Sequence, residues 1–409
     1  MSDINSTKTT NRDETARDSS KSPYVIHPVV DWLFCGGLSI LVILVLFVLF
    51  GTQPEVTNAF SYEKALQQAV EQVEQGSDAA GFATSLLPTE AFSSLAILLV
   101  LSTLINHPHF MMSYRLLYNS REQIQEYRWS STWMPVLLVL VLIIGVVAPV
   151  DAVGGAGPLL LEGLNVVAAL YLAWHYNGQA WGMVASFSYL GGIKLSRNEK
   201  AMIRSGLRVM TAVHVLIALM LVKPGWTVRE YVVQREETMG IWLHDLLIVA
   251  LIFAAVTLPI GLMAFRTASR RAGKRWPITA CTSWLAVYFW YALLYFQRDV
   301  FGVLVIVQLA HALQYLVFTT RVEINRNKTE SVSGVVRTAV TFAVAIGVGA
   351  IVFDLPGWIG MSSDTARMYG MVMGAVASAI NIHHYFVDGA IWKISNPRVR
   401  KDLFAHLRS

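Results

Sequence analysis

The sequence predicts an all-α membrane protein, a polytopic bundle of about ten transmembrane helices with both termini in the cytoplasm. Three observations support this fold class. Apolar residues make up 55% of the 409 residues and charged residues only 14%, and the mean hydropathy is +0.50. The apolar residues are concentrated in long runs. Basic residues are concentrated in every second connection between these runs, as in membrane proteins that retain Lys and Arg on the cytoplasmic side.

The chain divides into a tail, a membrane domain and a second tail. Residues 1–22 are rich in Ser, Thr, Asp, Lys and Arg, which predicts a disordered cytoplasmic segment. Residues 23–395 form the predicted transmembrane domain, and residues 396–409 form a cytoplasmic C-terminal tail. Within the domain, residues 52–90 are acidic and repeat apolar residues at helical spacing, which predicts an amphipathic helix on the outer surface. That helix is either a packing element or a lid over an entrance.

The predicted spans are bounded by charged residues, prolines or glycines. The run from Trp32 to Phe50 is longer than the apolar region of a signal peptide, so we expect it to be retained as the first span. The basic loops follow the second, fourth, sixth, eighth and tenth spans, so the net charge of +5 reflects membrane orientation rather than nucleic-acid binding. The remaining spans lie at about 91–118, 134–150, 159–190, 203–222, 240–265, 277–296, 301–320, 335–353 and 367–392.

Two cysteines, Cys35 and Cys281, both lie within predicted spans. No disulfide framework and no Cys-based metal motif is therefore available. Metal chemistry in this chain would need histidine and oxygen ligands.

Histidines are the most informative residues, because ionisable side chains inside a bilayer are costly and often functional. Four spans that run from outside to inside carry histidine roughly 9 to 15 residues before their cytoplasmic ends, a distance of about 15 to 20 Å. These histidines are therefore expected to share one depth. They are His107, His109, His175, His311, His383 and His384.

Each histidine has a hydrogen-bonding residue on its own helix face. Asn381, His384 and Asp388 follow the spacing i, i+3, i+7 of one face. The same spacing occurs in Asn106, His109 and Ser113 and in Gln308, His311 and Tyr315. On the fourth span, His175 has Gln179 one helical turn further on. This pattern is expected when one imidazole nitrogen binds a metal and the other is held by an acceptor. The alternative is a buried hydrogen-bond network without metal.

The sequence thus predicts a metal site with His109, His175, His311 and His384 as ligands. His107 and His383 are predicted as further ligands or as outer partners, and the candidate catalytic residues are Asp388, Tyr385 and Gln179. Pro108 favours a kink that would turn His107 and His109 towards one cavity. His214 ranks below these histidines, and His244, next to Asp245, is expected near the outer surface.

A histidine-rich site in a bilayer suits non-haem iron, and less specifically copper or zinc, since imidazole binds all three. Open positions on iron would activate O2 against a lipid-like substrate that enters from the membrane. Aromatic residues near the histidines would either line an apolar pocket for this substrate or serve only in helix packing. They are Phe110, Trp174, Tyr176, Trp181, Tyr315, Tyr385 and Phe386.

The pair His109-Phe110 resembles the intramembrane His-Phe motif of the Brp/Blh-type carotene dioxygenases. The dispersed His175, His311 and His384 are similar in style to that family's ligands. The resemblance implies one iron held by histidines from several helices and oxidative cleavage of an apolar substrate. The HxxxH and HxxHH boxes of the membrane desaturases and hydroxylases are absent.

The leading hypothesis is therefore an integral-membrane, metal-dependent oxygenase or oxidoreductase. The metal content of the purified protein is the first test of this hypothesis. Its expected partners are the lipid bilayer, an apolar small-molecule substrate and an electron donor, and its expected location is the plasma (inner) membrane. Two alternatives stay open. A haem-binding electron carrier would use two of the histidines as axial ligands, and a proton-coupled transporter would use them with Asp388 along a pathway.

Overall fold

The computed structural model describes residues 24–50, 97–148, 156–221, 236–296, 303–327, 334–355, 366–393 and 396–407. These segments are helical, some of them with short turns between helices, and no strand occurs among them. The all-α prediction is therefore confirmed for the described segments. The predicted tail at 1–22 and the predicted amphipathic helix within 52–90 lie outside them.

The helices are numbered here in chain order. They are α1 Pro28–Trp32, α2 Leu38–Phe50, α3 His107–Leu117, α4 Arg121–Glu126, α5 Met134–Val147, α6 Ala156–Leu190, α7 Arg197–Leu221, α8 Glu236–Ala272, α9 Ile278–Phe296, α10 Val303–Asn327, α11 Gly334–Phe353, α12 Ala366–Ile391 and α13 Pro397–Leu403. Wider, π-helical turns Ser102–Asn106 and Trp129–Trp133 lead into α3 and α5, and a kinked turn Leu33–Gly37 joins α1 to α2.

Eight helical segments in the described part of the chain are long and apolar enough to cross a membrane. Two predicted spans, 91–118 and 367–392, are not among the eight, because His, Asn and charged residues lower their mean hydropathy. Large apolar side chains point outwards, such as Val139, Ile143 and Val147, which are each at least half exposed. An apolar exterior of this kind fits a lipid environment, so the chain is a multi-pass membrane protein.

Helix α6 lies at the centre of the packing. It contacts α5, α7, α9 and α12, while α3 contacts α10, α11 and α12. The start of α7 is tied to the C-terminal end of α8 by Glu199, which accepts a hydrogen bond of 2.6 Å from the Ser196 amide and forms an ion pair of 2.7 Å with Arg271. This packing brings the histidine-bearing faces of α3, α6, α10 and α12 towards one point.

A kink at Gly36 lets the start of the chain approach α9. Gly36 has φ +146°, and a Cβ there would lie 2.8 Å from the Thr282 carbonyl oxygen, so glycine is required by both conformation and space. The kink also leaves the Cys35 carbonyl to accept a hydrogen bond of 3.3 Å from Gln314 on α10. The first span is thereby fixed against α10.

Candidate metal centre

Four imidazoles converge where α3, α6, α10 and α12 meet. His109 Nε2 lies 2.9 Å from His384 Nε2, and His175 Nε2 lies 2.8 Å from His311 Nε2. The ring centroids of His175 and His384 are 5.1 Å apart, and those of His109 and His311 are also 5.1 Å apart. All four Nε2 atoms therefore face the interior of one cluster. The structure brings together the four histidines that the sequence predicts as ligands.

Asp388 adds a carboxylate to this cluster. Its Oδ2 atom lies 3.4 Å from His384 Nε2 and 3.9 Å from His175 Nε2. Ligand atoms of His109, His175, His384 and Asp388 all lie within 4.8 Å of one another. A metal with bonds of about 2 Å separates its ligand atoms by about 3 to 4 Å. These residues therefore form a group that small side-chain movements would fit to a metal ion.

Burial makes the polar atoms of the cluster costly without a partner. His384 is 0% exposed and Asp388 is 7% exposed. Asp388 Oδ2 accepts no hydrogen bond from any described residue, and the Nδ1 atoms of His109, His311 and His384 are likewise without one. An unsatisfied carboxylate oxygen inside a protein costs several kcal/mol. A cation between Asp388 Oδ2 and the imidazoles would remove that cost.

Ser113 holds the other carboxylate oxygen. Its Oγ atom lies 2.7 Å from Asp388 Oδ1 and 2.6 Å from the Tyr315 hydroxyl oxygen. Because the serine hydroxyl has one proton, donating it to the carboxylate leaves Tyr315 as a donor to Ser113. Helices α3, α10 and α12 thus cooperate to direct Asp388 Oδ2 towards the imidazoles.

Two predicted histidines face other groups. His383 Nε2 lies 2.8 Å from the Ser130 carbonyl oxygen, and its ring stacks on Tyr114. His107 Nε2 lies 3.6 Å from Asp354 Oδ1, and its ring stacks on Phe353. Residues one or two positions apart on a helix point in different directions. The structure therefore places His383 and His107 beside the cluster but directs their imidazoles away from it.

The predicted catalytic residues Gln179 and Tyr385 have packing contacts. Gln179 Nε2 donates to the His311 carbonyl at 2.9 Å and to Gln314 Oε1 at 3.1 Å, so it ties α6 to α10 through the backbone rather than through an imidazole. The Tyr385 ring stacks on the His175 imidazole, with the ring centroids 4.5 Å apart. Its hydroxyl donates to Asn381 Oδ1 at 3.3 Å. Both residues orient elements of the cluster.

Two polar residues that were predicted to hydrogen-bond the histidine on their own helix face bond other residues instead. Ser113, predicted as a partner of the His109 imidazole, instead binds Asp388. Asn381, predicted beside His384, accepts from Tyr385. Spacing identified these polar residues as part of the site, but it did not identify which helix each of them would contact.

A cavity of about 280 Å³ opens beside the cluster and extends between α6 and α12 towards their C-terminal ends. His175 and Asp388 line its inner end, and Lys393 lines its other end. Gly178, Gly182 and Gly389 also line it, and a Cβ added to any of them would meet no atom within 4 Å. The remaining wall is mostly apolar and aromatic, and includes Tyr171, Trp174, Tyr315, Phe318, Tyr385 and Trp392.

Sequence reasoning missed these glycines. Gly178 and Gly182 are one helical turn apart on α6, a spacing that places them on one face. Paired glycines in a membrane helix more often indicate close helix packing. The sequence therefore offered a signal, but a misleading one, because here the glycines leave open space in the cavity instead of packing against a neighbouring helix.

The lower-ranked histidines lie elsewhere. Both imidazole nitrogens of His214 have partners, the Tyr291 hydroxyl at 3.1 Å and the Ala169 carbonyl at 3.0 Å. His244 is exposed, and its Nδ1 atom lies 3.9 Å from Asp245. His214 is therefore a buried structural histidine, and the exposed His244 is not part of the buried cluster.

The fold and the site together define a class: an all-helical, multi-pass membrane protein with a buried histidine and aspartate group that can hold a metal ion. No protein-family model, curated protein or solved structure matches the chain. The inference to function is therefore made from the geometry of the site.

Proposed function

We propose that the protein is an integral-membrane, metal-dependent oxygenase or related oxidoreductase that acts on an apolar or lipid-like substrate. One observation carries the proposal: the buried cluster of four inward-facing Nε2 atoms and the unpartnered Asp388 Oδ2 borders an apolar cavity through His175 and Asp388. A metal site next to an apolar pocket inside a bilayer is suited to chemistry on a molecule that dissolves in the membrane.

Non-haem iron is the proposed metal, with copper and zinc as alternatives. An imidazole-rich set with one carboxylate suits iron, and the resemblance of His109-Phe110 to the Brp/Blh-type dioxygenases supports the same choice. Haem would fit this site less well, because a macrocycle held between two of these histidines would need room that the cluster does not leave. The Nε2 atoms of His109 and His384 are 2.9 Å apart, with His175 and Asp388 close beside them.

The proposed roles follow from position. His109, His175 and His384 would hold the metal together with Asp388, whose orientation is fixed by Ser113. His311, which lies outside this group but 2.8 Å from His175 Nε2, is proposed as a fourth histidine ligand. Aromatic walls would exclude water and align an elongated apolar substrate with its reacting end beside His175. Iron bound there would supply the activation of O2. An electron donor is a further proposed partner.

We also propose that the two histidine-bearing helices outside the eight apolar ones cross the membrane. The described part of the second span, residues 97–117, is helical throughout, and α12 is 26 residues long. Each packs against apolar spans. This gives the ten spans and cytoplasmic termini that the charge pattern predicts, in the plasma (inner) membrane.

Metal content together with the optical spectrum of detergent-purified protein tests the proposed function. We expect about one equivalent of iron and no Soret band. In lipid vesicles that contain carotene, the first substrate to try given the resemblance, we expect oxygen uptake that chelation stops and Fe(II) restores. Activity that persists after iron and copper are removed would refute the proposal, and a Soret band would support the electron-carrier alternative.

A further inference from the structure

A second cavity lies at the C-terminal end of α6. It has a volume of about 530 Å³ and shares no lining residue with the cavity beside the histidines. The end of α6, the connection to α7, the start of α7 and the segment around α13 all contribute to it. Its walls are formed by Trp181, Ala185, Ser188, Tyr189, Gly192, Ile193, Lys194, Leu195, Lys200, Arg400 and Phe404.

The charge of this cavity is positive. Lys194, Lys200 and Arg400 line it from three separate segments. Acidic residues next to them in the chain are engaged elsewhere: Glu199 pairs with Arg271, and Asp402 pairs with Arg326, each at 2.7 Å. Among the described residues no carboxylate pairs with the three basic side chains. The cavity is therefore suited to an anion.

A buried hydroxyl provides an independent sign of a ligand. Ser188 lines the cavity and is only 1% exposed, yet its Oγ atom has no hydrogen-bond partner among the described residues. Leaving such a group unsatisfied costs about 1 to 3 kcal/mol. The Oγ atom is not open to the cavity as it stands, but a rotation of the side chain towards the cavity would let an oxygen atom of a bound ligand satisfy it.

Aromatic groups give the cavity an apolar side as well. The rings of Tyr189 and Phe404 contact each other, with their centroids 5.2 Å apart. The Arg204 guanidinium carbon lies 4.9 Å from the centroid of the Trp181 ring. Trp and Tyr with Lys and Arg at the end of an apolar helix are typical of the membrane interface. A ligand that is anionic at one end and apolar at the other fits this combination better than a free anion does.

We propose that this cavity binds the phosphate headgroup of an anionic phospholipid from the surrounding bilayer. Lys194, Lys200 and Arg400 would neutralise the phosphate, Ser188 would donate to one of its oxygens, and the Tyr189 and Phe404 rings would pack on the start of the acyl chains. The site is independent of the proposed metal chemistry.

Native mass spectrometry of the detergent-purified full-length chain tests this proposal, with phosphatidylglycerol and phosphatidylcholine as probes. We expect the wild type to retain phosphatidylglycerol in preference to phosphatidylcholine. The triple variant Lys194→Gln, Lys200→Gln, Arg400→Gln should bind phosphatidylglycerol roughly a hundredfold more weakly, because each basic residue near an anionic headgroup is worth about fivefold. The matched control is Arg266→Gln, Arg270→Gln, Arg275→Gln, which removes the same charge outside the cavity.

A neutral variant separates binding from folding. Ser188→Ala removes an unpartnered hydroxyl, so the Tm without lipid should not fall, while affinity for phosphatidylglycerol should fall by about tenfold. Equal retention of phosphatidylglycerol by the two triple variants would overturn the proposal. It would also be overturned if inorganic phosphate raised the Tm of the wild type while phosphatidylglycerol was not retained, because the cavity would then be a site for a soluble anion.

Discussion

Asp388 is the residue that distinguishes the cluster from a plain network of histidines. Neutral imidazoles can pair through Nε2, as His109 with His384 and His175 with His311, when one nitrogen donates and the other accepts. A buried carboxylate oxygen has no such solution in the described residues. Ser113 fixes one oxygen and leaves the other directed at the imidazoles. A metal ion is one partner that the free carboxylate oxygen and the Nε2 atoms could share.

Adjacent histidines on α12 provide a matched test at this scale. We expect His384→Ala to lower the affinity for iron by more than about tenfold, since it removes a ligand from the cluster. His383→Ala should leave iron content unchanged, because its imidazole contacts the Ser130 carbonyl instead. The measurement is metal content per folded protein by elemental analysis, after titration with Fe(II).

The comparison controls for general damage, because the same substitution is made one residue apart on the same helix. Equal iron content in the two variants would contradict the assignment of His384 as a ligand. His214→Ala extends the control to another buried histidine, whose two nitrogens have protein partners. It should affect stability and leave iron content per folded protein intact.

At the scale of elements, α6 performs two tasks with one face. His175 joins the cluster, and one and two turns further along, Gly178 and Gly182 leave open space against α12. Glycine in a helix interior costs about 1 kcal/mol relative to alanine. The cost of two glycines beside the histidine cluster would be explained if the space that they leave accepts a substrate.

Filling that space should block the substrate without removing the metal. We expect Gly182→Leu to reduce oxygen uptake with carotene by at least about tenfold, because a leucine side chain would occupy part of the 280 Å³ cavity. Iron content should stay at the wild-type level. Gly163→Leu is the control, since Gly163 lies on the same helix, outside the cavity, with no atom within 4 Å of an added Cβ. Equal activity of the two variants would show that the cavity does not bind the substrate.

At the scale of the whole molecule, apolar side chains face outwards and the histidine cluster is enclosed. The large cavity beside the cluster extends towards Lys393, at the end of α12 that the charge pattern places in the cytoplasm. A substrate would thus approach the metal from the inner leaflet. The basic lipid cavity is expected at the same membrane surface.

Tags at the two termini test this orientation. We expect protease added outside intact cells to spare a tag at either terminus and to cleave a tag inserted in the predicted outer segment 52–90. Permeabilised cells serve as the control, because all tags should then be cleaved. External cleavage of the C-terminal tag alone in intact cells would refute the ten-span arrangement, since an odd number of spans would separate the termini. External cleavage of both terminal tags would refute the proposed orientation.

The sequence by itself determined the all-helical membrane class and the short list of site residues. Hydropathy depends on composition, so apolar runs such as 240–265 identify spans without knowledge of their neighbours. Histidine is rare in such runs, and for that reason His109, His175, His311 and His384 were recognised individually. Spacing also placed Asp388 one turn from His384.

Only the tertiary structure decided which side chains meet. Spacing defines a face of one helix, but the rotation of that face about the helix axis is set by packing with every neighbour. The sequence ranked His384 above His383 as a ligand, but it did not predict that His383 contacts the Ser130 carbonyl, direct Gln179 to the His311 carbonyl, or assign Ser113 to Asp388. The cavity at Gly182 likewise arises from the absence of a side chain opposite it, which is a property of the assembled helices.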